Sequence, residues 1–503
     1  MDIYLQAAIL VVSWEVLVAV GLGAVFGLFV GATPGLSATM AAALLVPLTF
    51  PLSPVAAIGA IVACTAMSIF AGDIPAAILR IPGTPASAAY MEELSAMSDR
   101  GEMAKGLGNS MFAAVLGGLV GTAVLIFVAP QLANFALSFS SYEYFWLALL
   151  GLSCATLVSG EDKLKGAVSL TLGILVTLVG LDVVTGTRRY TFGLADLQAG
   201  VSLIAVLIGA FAIAEIMRSS HSNIQPRTDL PRISAGAVVR GQGRTLWRHK
   251  VPLARGSLLG TAIGALPGAG PDIAAWIAYA VSKRFSRNPA KYGKGSSEAV
   301  IGASSANNAA LAGAYVPALV FGIPGDSITA IVIGVLLIKG LQPGPLVFIT
   351  SPDLVNAIYI VFILANLLIL PFGIVAIMAA RRVLSVRTGF LYPAILLLCI
   401  IGTFATNNSL FDLWSLCIIG VLVWIMNAND YPAAPFVLGV VLGAIVEQNF
   451  MTSMLMSDGD LSAFFTRPIA GALGVLTLTV WLLPAAISLW RLARDGRAGT
   501  PPG

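Results

Sequence analysis

Charge is scarce in this chain of 503 residues. Only 10% of them are Asp, Glu, Lys or Arg, against about 25% in an average soluble domain. Apolar types make up 58%, and the mean hydropathy is +0.92. A chain this poor in charge has too little with which to cover a water-facing surface. That excludes a soluble enzyme, a disordered chain and a fibrous one. Histidine is nearly missing: there are two, His221 and His249, in one polar stretch. With no histidine in any expected span, no HExxH and no Walker lysine motif, neither a membrane-embedded Ser/His/Asp triad nor ATP hydrolysis fits. No enzyme and no cofactor are expected. The four cysteines (Cys64, Cys154, Cys399 and Cys417) stand singly inside apolar segments, which fits neither a CxxC metal site nor a disulfide framework. No basic residue precedes Arg80. Without a basic n-region or a small-residue cleavage site, the first apolar run is expected to stay as a membrane helix. The net charge of +4 reflects a bias in the loops, not a nucleic-acid surface.

What the chain has is long apolar runs, as in 10–30 and 361–380. They are too long for barrel strands, which alternate apolar and polar over about ten residues. The expected fold is an all-α polytopic membrane protein of about twelve spans, at about 20 residues per span, with broken or re-entrant helices. The stretch 218–255 carries eight basic residues and one acid, Asp229. Lys and Arg gather on the cytoplasmic side, so this loop and the C-terminal tail are placed in the cytoplasm and the N-terminus in the periplasm. The organisation that follows is a first transmembrane repeat over 1–217, a basic cytoplasmic loop over 218–250, a second repeat with C-terminal helices over 251–490, and a tail over 491–503. Arg188 and Arg189 go against the charge rule, since the count places their loop outside.

Two halves emerge from the motifs. Gly31-Ala-Thr-Pro-Gly35 matches Gly264-Ala-Leu-Pro-Gly268 at an offset of 233, as Ala41-Ala42 matches Ala274-Ala275. At an offset of 242, Pro75-Ala76 and Ile81-Pro82-Gly83 match Pro317-Ala318 and Ile323-Pro324-Gly325. Paired motifs in the same order argue for an internal repeat. The first copy is entered from the positive-poor side and the second from the positive-rich side, which describes an inverted-topology repeat of the kind secondary transporters use.

Proline lacks an N–H and clashes with the preceding turn, and glycine lets the backbone leave the helix. In hydrocarbon, such breaks are tolerated where they are buried in protein or line a wet cavity. Gly31, Pro34, Pro82, Gly83, Gly264, Pro267, Pro324 and Gly325 are therefore read as helix breaks. Half-helices are expected to start at Leu36 and Pro271, their N-termini suiting a carboxylate. The other reading is a pair of packing kinks. Thr33, Gly35, Ser37, Thr39, Gly268, Gly270, Asn307, Asn308 and Ser327 form the candidate substrate site, and Thr84 and Thr329 offer further hydroxyls. The cluster Ser304-Ser305-Ala306-Asn307-Asn308 needs partners. It holds a ligand, or it hydrogen-bonds between close-packed helices. Isolated membrane acids are functional candidates by default. A cation or proton site is sought near Gly31, Gly264, Asp73, Asp272 and Ser304, while Asp182 and Glu447 are read as interfacial.

These same segments, together with 180–193, 209–215, Ala306-Asn-Asn-Ala-Ala310 and Gly340-Leu-Gln-Pro-Gly-Pro345, carry a family resemblance over roughly 15–450. The chain resembles TctA, the large permease subunit of tripartite tricarboxylate transporters. The resemblance implies a bacterial inner-membrane carrier that takes up a small organic carboxylate by symport, with Na⁺ as coupling ion. It implies two partners, a TctB-like small four-helix membrane subunit and a TctC-like periplasmic solute-binding protein, and leaves homo-oligomerisation open. Three positions depart from the family pattern. Ser304 stands where members carry an acid, Asp73 where they have Ser, and Asp326 where many have a small residue, so citrate itself is not carried over as substrate. The alternative function is a channel or exporter for a small polar solute that works without a binding protein.

Overall fold

The computed structural model describes residues 3–34, 36–158, 162–182, 185–219, 233–383 and 388–495. The chain is helical almost throughout. The first half opens with α1 (Ile3–Val12), α2 (Trp14–Gly31), α3 (Ala38–Leu45), α4 (Pro54–Ala71), α5 (Asp73–Leu79), α6 (Met91–Asp99) and α7 (Met103–Ala136). It continues through α8 (Ser141–Val158), α9 (Lys163–Thr177), α10 (Leu203–Ile208) and α11 (Ala214–Ser219), with a π-helical turn over Gly209–Ile213. Two short helices, α12 (Ala235–Val239) and α13 (Gln242–Arg248), lead into the second half. There follow α14 (Lys250–Gly264), α15 (Gly270–Arg284), α16 (Ser297–Phe321), α17 (Ser327–Ile338), α18 (Val347–Thr350) and α19 (Pro352–Met378). The chain ends in α20 (Ala380–Val383), α21 (Thr388–Asn407), α22 (Leu410–Ala428), α23 (Ala433–Met456), α24 (Ala463–Thr466) and α25 (Pro468–Asp495). The first apolar run is two helices, because Ser13 leaves the helix and caps α2 by accepting from the Val16 N–H. α25 runs on into the tail expected from 491.

Among the described residues, six helices are long and apolar enough to cross a membrane, and five shorter apolar helices accompany them. This is a multi-pass all-α membrane protein. The one sheet among the described residues is a two-residue pairing of Gly180–Leu181 with Arg188–Arg189. Beside it, Arg189 ion-pairs with both Asp182 and Glu447. This gathers into one cluster the arginine that broke the charge rule and the two acids read as interfacial.

α4 and α16 form the centre, and both are buried over almost their whole length. What lets other helices reach them is glycine. Residues four apart share one face of a helix. Gly23, Gly27 and Gly31 put the bare face of α2 against the backbone of Ala60, Cys64 and Ser68 in α4. Gly256, Gly260 and Gly264 put the bare face of α14 against Gly302, Ala306 and Ala310 in α16. A methyl group at any of the six would strike main-chain atoms. Without water to drive association, small residues that let backbones approach are what holds membrane helices together. The two sets of glycines lie 233 residues apart and their partners lie 242 apart, the two offsets that the motifs show. α16 is gripped on a second side by Gly117 and Gly121 of α7, which meet the carbonyls of Ser305 and Ala309.

Candidate functional site

Both breaks close in the same way. A Cβ on Gly83 would lie 2.6 Å from the carbonyl oxygen of Gly31, and one on Gly325 would lie 2.8 Å from that of Gly264. Each Ile-Pro-Gly loop is thereby pressed against the break of its own half. In the second half the Gly268 N–H also donates to the Gly325 carbonyl at 2.7 Å. Gly268 (φ 84°) and Gly270 (φ 60°) take left-handed conformations, which glycine adopts at little strain.

Between the breaks lies a cavity of about 210 Å³. It is smaller than the roughly 300–1,000 Å³ of drug-sized ligand sites, which suits a small metabolite. Four helices begin at its wall. Ser37, Ala38 and Thr39 bring the first turn of α3, and Gly270 to Ile273 that of α15. Asp326, Ser327 and Ile328 bring the start of α17, and Pro432 and Ala434 that of α23. Thr84, Pro85, Gly268 and Asn307 also line it. First-turn N–H groups lack intrahelical partners and sit at the positive end of the helix dipole. Four such ends meet at the wall of one small volume.

Local capping explains why the helices start here. The Ser37 hydroxyl accepts from the Met40 N–H at 3.1 Å, so α3 begins at Ala38 and not at the Leu36 expected from the motif. Asp326 Oδ1 accepts from the Thr329 N–H at 2.8 Å, while the Thr329 hydroxyl accepts from the Asp326 N–H at 2.9 Å, a reciprocal capping box. The other oxygen, Oδ2, has no partner among the described residues and faces Gly270. Asp272 accepts from the Ala86 N–H at 3.1 Å and lies within electrostatic reach of Asp326. The lining thus holds two carboxylates and no Lys, Arg or His.

Of the candidate residues, the structure brings Ser37, Thr39, Gly268, Gly270, Asn307 and Ser327 to the cavity wall, and Asp272 with them. Gly35 falls outside the described residues. Thr33 is turned away, its hydroxyl donating to the Phe29 carbonyl at 2.8 Å. Asn308 is buried behind the lining, and neither its amide oxygen nor its nitrogen has a partner among the described residues. Gly31 and Gly264 are used in helix packing. Asp73 and Ser304 meet each other's neighbours elsewhere, through Ser110. The proposed ion cluster is therefore split, with Asp272 alone of its members on the cavity. Sequence reasoning missed the contribution of α23, since nothing marks Pro432 and Ala434 as functional, and it missed Tyr90 and Ser110. Ser110 did leave a signal, as a polar residue beside Asn109 in a long apolar helix.

Comparison with known proteins adds a family. The model of the tripartite tricarboxylate transporter TctA family matches residues 17–438. An uncharacterized 52.8 kDa protein of Agrobacterium vitis, from the TAR-I ttuC' 3' region, is 31% identical over 466 residues, which is 92% of each chain. A second uncharacterized protein of the same organism, from the TAR-II ttuC' 3' region, is 34% identical over 229 residues, 45% of this chain and 95% of its own. No solved structure matches.

Proposed function

Since the chain belongs to the tripartite tricarboxylate transporter TctA family, we propose that this permease subunit imports a small organic carboxylate together with Na⁺, and that a periplasmic solute-binding protein delivers the anion. A small four-helix subunit is the third component. The observation that supports this most is the cavity wall: four helix N-termini, two carboxylates and no basic side chain. The N-termini favour the substrate's carboxylates. The two aspartates would repel them unless cations entered too. Asp272 and the free Oδ2 of Asp326 are the groups that would hold such cations. The substrate and its ions then cross the low-dielectric region partly neutralised, which lowers the desolvation penalty. Inward movement of each net charge gains about 2.3 kcal/mol per 100 mV.

The matched halves supply the movement. In this reading α2–α3 and α14–α15 are helix pairs that enter from opposite faces of the membrane, and the cavity between their breaks opens to each face in turn. The experiment is uptake of a labelled carboxylate panel into proteoliposomes containing all three components, with and without an inward Na⁺ gradient. Na⁺-dependent accumulation of one anion is the expected result. Equilibration without accumulation under every ion gradient would replace the symporter with a passive pore.

A further inference from the structure

Five carboxylates are buried among the described residues: Asp73, Glu93, Glu143, Asp326 and Asp412. Four of them accept from N–H donors. Glu93 accepts from the backbone of Gly293, Gly295 and Ser296, and Glu143 from Arg467. Asp326 accepts from the Thr329 N–H, and Asp412 from the Asn407 amide. Asp73 differs. Its partners are two hydroxyls, the Tyr90 OH donating to Oδ1 at 2.7 Å and the Ser110 OH donating to Oδ2. It is fully buried, and the cavity lining does not reach it.

Charged groups on the surrounding elements are turned elsewhere. Arg80, at the end of α5, bonds Ser95 and Asp99. On α6, Glu92 is exposed and Glu93 is held as above. On α7, Lys105 pairs with Glu102. On α16, Glu298 accepts from Ser286. α4 offers Cys64, packed against α2. A buried carboxylate with no counter-charge is strongly disfavoured, so Asp73 must take a proton or a cation. A metal ion needs several oxygen ligands, whereas the hydrogen-bond partners of Asp73 among the described residues are two hydroxyls.

We propose that Asp73 is a proton-binding site linked to the substrate cavity through Tyr90 and Asn307. This rests on the carrier reading given above. The surrounding hydroxyls suit a group that changes protonation, because a hydroxyl donates or accepts as it rotates and an N–H does not. When Asp73 is ionised, the Ser110 OH donates to it. When Asp73 carries a proton on Oδ2, it donates to Ser110 Oγ, and the Ser110 OH turns to Ser304 Oγ 2.9 Å away on α16. Taking up a proton thereby changes a hydrogen bond between the two halves. On the other oxygen, Tyr90 OH accepts from the Asn307 amide at 3.5 Å. Asn307 lines the cavity, its own Oδ1 without a partner among the described residues, so a substrate group bound there acts on Asp73 through two side chains, Asn307 and Tyr90.

Two measurements test this. Infrared spectra of the purified intact chain should show a protonated-carboxyl C=O band that titrates with pH and is absent from Asp73→Asn. An unchanged band across the pH range overturns the proposal. Should Asp73→Asn fail to fold, Tyr90→Phe takes its place: a shifted titration supports the site, and an unshifted one overturns it. In proteoliposomes with both partner subunits, acidifying the outside should drive uptake in the wild type. Asp73→Asn should lose that drive by a factor within the usual coupling range of about 5–150-fold, while still exchanging labelled for unlabelled substrate. Wild-type pH dependence surviving in Asp73→Asn overturns the proposal. A wild type that moves no carboxylate defeats the carrier reading, and the infrared result still decides whether Asp73 binds a proton.

Discussion

The two broken-helix regions share a scaffold and differ in chemistry. Every packing glycine of α2 has its counterpart in α14, and both Ile-Pro-Gly loops press on the carbonyl of the corresponding break. At the cavity wall the correspondence ends. Thr39 of the first half stands where the second has Asp272, and Thr84 stands where the second has Asp326. Buried Thr65 corresponds to Asn307, and Asp73 to Tyr315. Thr65 spends its hydroxyl on its own helix, on the Ile61 and Val62 carbonyls, whereas Asn307 faces the cavity. The lesson is a division of labour. Backbone approach tolerates no change in either copy, so glycine stays in both. The polar positions are not so bound and have become a hydroxyl wall facing a carboxylate wall. Under the proposed function, an anion and its cations then have different places to sit.

The scaffold half of this comparison is the easiest to break. Gly27→Leu and Gly260→Leu should each destabilise the fold by about 3 kcal/mol or more, because overpacking against backbone has no side chain to push aside. Both should lose the monodisperse peak of the detergent-solubilised protein on size exclusion. Gly21→Leu is the control, with nothing within 4 Å of its Cβ position, and it should keep that peak. Equal behaviour of all three would remove the glycine contacts as the basis of the shared scaffold. The chemical half should respond next. Asp272→Asn and Asp326→Asn keep their shapes, and Asn still caps α17. Each should cut Na⁺-driven uptake about a hundredfold, near 2.8 kcal/mol at about 1.4 kcal/mol per tenfold. Thr39→Val and Thr84→Val should cost less than about tenfold, the worth of one or two neutral hydrogen bonds. If the threonine variants lose as much as the aspartate ones, the two walls do not divide anion from cation.

Asn308 sharpens the contrast further, since the first half has Ala66 in its place. A buried amide without partners costs roughly 1–3 kcal/mol. Asn308→Leu should therefore raise the melting temperature while lowering uptake. A rise in both would make the amide a relic of packing.

Much of this was legible in the chain. The repeat could be read because Gly and Pro are needed wherever backbone must break or touch backbone, and such needs leave fixed letters at fixed offsets. Most candidate residues that reached the cavity adjoin these letters, namely Ser37, Thr39, Gly268, Gly270 and Ser327, and Asn307 reaches it from α16 without them. Thr33 and Asn308 did not reach it: Thr33, past the end of α2, turns its hydroxyl back to the Phe29 carbonyl, and Asn308 lies one residue along α16 from Asn307, about 100° round the helix, an angle that motif proximity does not fix. The members of the ion cluster are spread apart for a related reason. Asp73 lies next to the repeated motif in sequence, but α5 carries it to Tyr90 and Ser110. The share of α23 in the cavity is a matter of tertiary packing, with no local trace in Pro432 or Ala434.

The smallest expected effect concerns the start of α3, where the two halves use different devices for the same end. Gly270, a glycine at φ 60°, stands in the second half where the first has Ser37. Ser37 caps α3, whereas α15 has no side-chain cap and gains its start from that glycine and from Pro271 in the first turn. Loss of a serine cap costs about 1 kcal/mol, so Ser37→Ala should weaken apparent substrate affinity about fivefold by loosening the α3 terminus. Ser37→Asp keeps a capping oxygen but adds a third carboxylate to the wall. It should restore the helix start, seen as recovered thermal stability, and still impair uptake. If Ser37→Asp instead restores uptake along with stability, the hydroxyl wall is not where the anion sits, and anion and cation must share the side of Asp272 and Asp326.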